Sequence, residues 1–262
     1  MTFLTSSVTP VGPMPAQTVT KGDLILLDYD IWAESGEKSE VVDTTSKEVA
    51  TSAHWEGRKE DEFGPIPYEV GKERLPAALD KLLEGAVVGA VVEKEIAAGD
   101  AFGDRDAKLI ELFSLREIAR LPEMRKEGAS LDIGTTLTID GRKGRVLSVT
   151  AGRVRVDFNN PLAGKRIKAK LTVKGKITAP EEIVRSIVEL EYGRGKEFGV
   201  EHSGNRVTLR VPDRAKFDML WHATKSRVVD DLRRFLKPES VEFVEEYKTP
   251  AEPAKADEKQ SE

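Results

Sequence analysis

Leu24 to Leu27 open an apolar run that continues through Tyr29 and Ile31, β-rich in composition, and Ser35-Gly36-Glu37 behind it is a turn signal. Val41-Val42-Asp43-Thr44-Thr45 predicts a second strand ending in an acid. Residues 46–65 are polar and contain Gly57, Gly64 and Pro65, which predicts a long surface loop. Ile66-Pro67-Tyr68-Glu69-Val70-Gly71 alternates as a strand does. Leu75, Leu79, Leu82 and Leu83 then share one helical face, with Pro76 suited to the first turn and Gly85 to the stop. Val87 to Ile96 reads as a strand interrupted by Gly89, and Asp100 to Asp106 as a polar turn holding Phe102.

The pattern changes at residue 110. Ile110 to Leu121 and Leu131 to Val156 predict short strands joined by turns at Gly134, Asp140-Gly141 and Gly152, a small β module. A return strand follows over Ile167 to Val173. Beyond Pro180 the periodicity becomes helical, with Ile183, Ile187 and Leu190 on one face of Glu181 to Glu191. Phe198–His202 and Val207–Val211 flank the hairpin composition Ser203-Gly204-Asn205. Asp213 to Leu236 predicts one long helix capped by Asp213, with Phe217, Leu220, Trp221, Val228, Leu232 and Phe235 as its apolar set. Pro238 ends it, and Val241–Val244 is a last short strand.

Composition narrows what these elements can do. A length of 262 residues fits two or three modest domains. Aromatics are 6% of the chain, so the cores are expected to be built from Val, Leu and Ile. There is no Cys, which excludes disulfides, thiolate metal sites and cysteine nucleophiles. His54, His202 and His222 lie far apart without metal-ligand spacing, and no G-x-S-x-G, P-loop or H-E-x-x-H is present. Gly193 to Gly199 follows a helix and reads as a turn. No apolar run approaches the ~20 residues of a membrane span, and Met1 to Ser7 does not look like a signal peptide. A cytoplasmic protein is the expectation, with a disordered lead-in over 1–18 and a disordered tail over 248–262. The net charge of -5 hides a basic stretch, 142–176, with one acid, Asp157. Such runs are commonly a solvated face; the alternative is contact with RNA, the ribosome or acidic clients.

Two segments are specific. One runs through Glu84-Gly85-Ala86-Val87-Val88-Gly89 and a strand to Gly99-Asp100-Ala101-Phe102-Gly103-Asp104-Arg105. The other is Val154-Arg155-Val156-Asp157-Phe158-Asn159-Asn160-Pro161-Leu162-Ala163-Gly164-Lys165. Together, over about residues 19–177, they resemble the FKBP-type peptidyl-prolyl cis-trans isomerases of the SlyD-like, insert-in-flap class. The C-terminal remainder is similar in layout to the long-chain archaeal chaperone-isomerases. The resemblance implies an α+β fold with an antiparallel sheet wrapped on a short helix over 19–109 plus 157–177. It makes 110–156 an inserted chaperone domain and 178–247 a C-terminal α-β-β-α-β domain. It implies Tyr29, Asp43 and Phe102 as catalytic residues, and Val42, Ile66, Tyr68, Val70, Leu75, Pro76 and Leu79 as the lining of a prolyl pocket.

In the inserted domain, Leu131, Ile133, Leu137, Leu147 and Val149 are the apolar candidates for holding unfolded or nascent clients; some must instead form the module's own core. The chain departs from the family at several places. Phe102 stands where a Tyr is usual, Ala169 where an aromatic wall is usual, Asn160 where many relatives carry His, and Val42 in place of a larger aromatic. A pocket with fewer aromatics should be wider and grip proline less firmly. The His-rich metal-binding tail of some relatives is absent, so no metal or other cofactor is carried over. Phe217, Trp221 and Phe235 exceed what a small domain needs, which predicts a homodimer through the C-terminal part. A holdase with a degenerate pocket, or a ribosome- or RNA-associated factor, is the competing reading.

Overall fold

Strand β1 (Leu24–Ser35) alternates as the sequence suggests: Leu27, Ile31 and Ala33 are buried while Asp28, Asp30 and Trp32 are half-buried. The computed structural model describes residues 17–55, 60–126 and 128–248. The expected lead-in and tail therefore lie largely outside the described residues. β1 turns at Gly36 into β2 (Lys38–Thr44), an antiparallel partner. Ser46 then caps a helix, α1 (Lys47–Ser52), by accepting from the Val49 N–H. The sequence predicts a long surface loop over 46–65; six residues of helix are too few to register as periodicity. The chain continues through β3 (Ile66–Glu69), α2 (Ala77–Leu83), β4 (Val91–Ile96) and α3 (Ala98–Ala101).

The inserted segment begins with β5 (Ile110–Ser114) and α4 (Leu115–Ile118). Ser114 and Glu117 close a reciprocal capping box there, a helix that the strand reading of 110–121 passed over. β6 (Thr136–Ile139), β7 (Arg142–Thr150) and β8 (Arg153–Asp157) complete a four-stranded sheet of order β5-β8-β7-β6. Its core is Ile118, Leu137, Ile139, Val146, Val154 and Val156. β9 (Arg166–Lys176) then returns to the first sheet, whose order is β2-β1-β9-β4 with β3 also paired to β1. Ile167, Ala169, Leu171 and Val173 alternate into its buried face.

The last part comprises α5 (Pro180–Tyr192), β10 (Gly199–Ser203), β11 (Arg206–Arg210), α6 (Asp213–Lys216), α7 (Met219–Leu236) and β12 (Ser240–Val244). β10 and β11 form the expected hairpin, and β12 adds to β11 in parallel. The glycine-rich turn after α5 has a packing cause. Gly193 takes the left-handed conformation that ends the helix, and a Cβ on Gly195 would stand 2.1 Å from the Arg185 carbonyl oxygen. The single long helix expected over 213–236 is two. The chain breaks at Phe217, and Asp218 rather than Asp213 caps α7, accepting from the Leu220 N–H at 2.8 Å. Trp221, Val228 and Leu232 are the buried face of α7, whereas Phe217 and Leu220 are exposed.

The chain divides into two units. Among the described residues, the first holds 17–22, Leu27–Ile66 and Val70–Gly175; the second holds Asp23–Leu26, Pro67–Glu69 and 176–248. Within the second, Glu69 is buried and the Arg234 guanidinium donates to both of its oxygens, at 2.6 and 2.8 Å. The Glu69 carboxylate, with Asp231, raises the guanidinium's already high pKa. Among the described residues no helix is long and apolar enough to cross a membrane.

Candidate functional site

Asp43, the penultimate residue of β2, stands opposite Ile31 of β1, next to an irregularity in the pairing at Ile31/Trp32. An acid closing an apolar strand needs a partner when it leaves water. Here the Tyr29 hydroxyl donates to Asp43 Oδ2 at 2.7 Å and the Thr44 N–H to Oδ1 at 2.9 Å. Tyr29 is itself fixed through its backbone. Its N–H donates to Thr45 Oγ1 and its carbonyl accepts from the Thr45 N–H, both at 2.9 Å. The pair is a rigid polar element on a strand whose neighbouring inward positions, Leu27 and Ile31, are apolar and buried. Val42, beside Asp43, is half-buried.

The helix α2 and the turn before it carry the next group of candidates. Leu79 and Leu83 are fully buried, Leu75 and Pro76 are half-buried just before the helix, and Pro76 is its N-cap. What orients that approach is Asp80, a residue the sequence reading assigned no role. Its buried carboxylate accepts from the Gly71 N–H and the Glu73 N–H, both at 3.1 Å, and so ties the 71–75 turn to the helix. An acid among Leu79, Leu82 and Leu83 was the available signal. Ile66 is half-buried, Val70 is buried, and Tyr68, in a segment of the second unit, is buried too. Among these candidates Val70 and Leu79 are buried, while Ile66, Leu75 and Pro76 keep part of their surface exposed. Phe102 is half-buried at the end of α3, which packs on α2.

The two specific segments are clasped to one another at the root of the insertion. Arg105 pairs with Asp157. The Asp106 N–H donates to Asn159 Oδ1 at 2.8 Å, and Asn159 Nδ2 returns a bond to the Asp106 carbonyl at 2.9 Å. The Gly164 N–H donates to the Gly103 carbonyl at 2.9 Å. Burial pushes the Asp157 carboxyl up, but bonds from the Asn159 side chain and backbone, with the Arg105 guanidinium, outweigh it and hold the group below its ordinary value. Asn160 accepts from the Leu162 N–H at 2.9 Å and so shapes its own turn. Sequence reasoning gave Arg105, Asp157 and Asn159 no role, because each partner lies some fifty residues away.

The apolar candidates of the inserted segment separate by exposure. Leu137 is fully buried and belongs to the module's core, Leu131 packs partly against that core, and Leu147 is half-buried. Val149 is 38% exposed and Ile133 74% exposed, so these two have side-chain surface to offer. A cavity of about 780 Å³ opens on the polar side of the first sheet, lined by Tyr29 together with Asp28, Asp30, Lys170, Thr172 and Lys174 among others.

Comparison with known proteins adds four findings. Residues 118–162 match the family model described as "FKBP26, IF domain", and residues 180–248 match the one described as FKBP26 C-terminal. The chain is 28% identical over 166 residues to a "Short-type peptidyl-prolyl cis-trans isomerase" of Methanocaldococcus jannaschii, covering 63% of this chain and 96% of that protein. It is also 28% identical over 179 residues to "FKBP-type peptidyl-prolyl cis-trans isomerase SlyD" of Aeromonas hydrophila, covering 66% of this chain and 72% of that protein.

Proposed function

The chain is an FKBP-type, SlyD-like protein, and from that premise we propose that it is a peptidyl-prolyl cis-trans isomerase that also holds unfolded or nascent polypeptides in the cytoplasm. The observation that carries the enzymatic part is the Tyr29–Asp43 hydrogen bond. It supplies a fixed polar edge on an otherwise apolar strand face.

The reaction needs little conventional catalytic chemistry. Partial double-bond character opposes amide rotation by ~18–20 kcal/mol, and X-Pro isomerisation in water takes tens to hundreds of seconds. At the transition state the amide is twisted and has lost conjugation, so its carbonyl is less polar than in either planar form. An apolar site therefore disfavours the planar forms more than the twisted one, and that difference lowers the barrier. In this reading Ile66, Leu75, Pro76 and Phe102 present the apolar surface to the proline, over Val70 and Leu79. Val42 flanks the Tyr29–Asp43 pair, which orients the peptide. A tenfold rate effect requires only about 1.4 kcal/mol. The missing hydroxyl at Phe102 is thus compatible with activity.

The test is a protease-free isomerisation assay on a short proline peptide. Asp43→Ala and Phe102→Ala are each expected to lower kcat/KM by about tenfold, an effect of ~1.4 kcal/mol at the transition state. Unchanged rates in both would end the reading and leave a non-enzymatic holdase.

For client holding, tethering near the pocket raises effective concentration, so weak pocket binding suffices. A homodimer through the second unit is the companion proposal. Trp221 is fully buried and Phe235 packs against the unit's own core, so neither is available to a partner copy. Phe217 at 78%, Met219 at 79%, Leu220 at 55% and Tyr247 at 62% exposure are the apolar surface that remains. Sedimentation of full-length Phe217→Ser/Leu220→Ser against the parent chain tests this. Equal masses for the two proteins would refute it.

A further inference from the structure

The basic side chains of 142–176 fall into two groups by their surroundings. Arg142 pairs with Glu111 at 2.9 Å, Lys165 with Glu40 at 3.5 Å, Arg166 with Glu34 at 3.1 Å, Lys174 with Asp28 at 3.0 Å and Lys176 with Asp23 at 2.6 Å. Lys168 and Lys170 stand opposite Glu95 and Glu93 in the β4–β9 register. Lys143, Arg145, Arg153 and Arg155 differ: no described residue forms an ion pair with any of them.

These four share one face. Lys143 and Arg145 alternate along β7 with buried Gly144 and Val146, and Arg153 and Arg155 alternate along β8 with buried Val154 and Val156. The register places Leu112 opposite Arg155, Arg145 opposite Asp157 and Lys143 opposite Thr138. Asp157 is the one acid among the strand residues of that face, and Arg105 and Asn159 already engage it. Apolar surface lies among the cations. Leu112 is 51% exposed, and Ile133 lines a cavity of about 460 Å³ together with Arg145 and Leu147.

Uncompensated like charges on neighbouring strands repel and weaken a sheet. A small module that carries four of them beside bare aliphatic groups is complementary to a ligand that is both acidic and aliphatic. We propose that this face binds unfolded polypeptide segments in which carboxylates flank a Leu- or Ile-like side chain, an inference that rests on the client-holding reading above. Single-stranded RNA fits the face less well. Its binding draws on aromatic stacking platforms, the large exposed side chains here are aliphatic, and phosphates give Leu112 and Ile133 nothing to contact.

The test uses the full-length chain and three fluorescent probes: a leucine-containing peptide rich in Asp and Glu, its Asn/Gln counterpart, and single-stranded oligouridylate. The acidic peptide is expected to bind about tenfold more tightly than the amide one at low ionic strength, with the preference shrinking as salt rises. Arg153→Gln/Arg155→Gln and, separately, Lys143→Gln/Arg145→Gln should each reduce the preference severalfold. Isomerisation of a short neutral proline peptide should be unchanged in both. Equal binding of the two peptides by the parent chain overturns the acidic preference while leaving client holding intact. So does tighter binding of the oligouridylate than of the acidic peptide. Failure of every polypeptide probe to bind overturns client holding itself, and this inference with it.

Discussion

Trp221, at the centre of the second unit, lies against three other rings, with centroids 4.7 Å from Phe198, 5.3 Å from Tyr192 and 5.5 Å from Phe243. The inserted module has no such centre. Its core is small and aliphatic, bordered by one edge-on pair, Phe113 and Phe158, at 6.1 Å. An aromatic cluster removes large areas from water per residue, so the second unit completes its core and still leaves Phe217, Met219, Leu220 and Tyr247 outside. In the module Leu137 is needed inside, and Leu112, Leu115, Ile133 and Val149 stay outside, with Leu112 opposite Arg155 and Ile133 beside Arg145. The same observation, exposed apolar surface, thus points to different partners: a second apolar face in one region, an acidic aliphatic segment in the other.

The contrast can be broken most directly at the centres. Trp221→Ala is expected to destabilise the second unit by about 3–5 kcal/mol, read as faster hydrogen exchange in β10 to β12 with β6 to β8 unaffected. Leu137→Ala should do the converse at about 2–4 kcal/mol. If either substitution loosens both regions equally, they are not separate cores.

A pH experiment sharpens the comparison. Burial, with the hydrogen bond to Asp218, pushes the Tyr192 phenol up to about 12. The folded state therefore favours the neutral phenol. That stabilisation is complete below the ordinary value near 10 and is lost as pH rises through about 12. Unfolding of the second unit followed across that window should show a loss that Tyr192→Phe removes; an unchanged pH slope in the variant would refute the assignment. The smallest effect belongs to Ile133→Ser, expected within about 0.5 kcal/mol of the parent in stability, since its side chain is mostly in water. A large loss there would place Ile133 in the module's core.

Local patterns were readable where one element carries its own explanation. The alternation of β1 and β9, the leucine face of α2 and the hairpin at Gly204-Asn205 all follow from period and turn chemistry. The Tyr29–Asp43 pair was half legible: an acid at the end of an apolar strand demands a partner, but the sequence does not say which. The break between α6 and α7 was missed because Phe217 and Leu220 fit a helical stripe on paper. In the folded unit the chain turns there, and Asp218 is shared between capping α7 and binding the Tyr192 hydroxyl. Ser114-x-x-Glu117 is legible in the sequence, since a capping box is a local signal, and it marks α4 within a stretch whose composition otherwise suggests strands.

What the sequence determined alone is the longer strands, α2, α5 and the hairpin, and the two segments that mark the resemblance, because periodicity and turns act over a few residues. Tertiary structure decided which charges are neutralised, which apolar side chains stay outside, and how Arg105, Asp157 and Asn159 close the root of the insertion. Those outcomes depend on partners tens of residues apart, and only the folded sheets bring such partners within reach of a hydrogen bond or an ion pair.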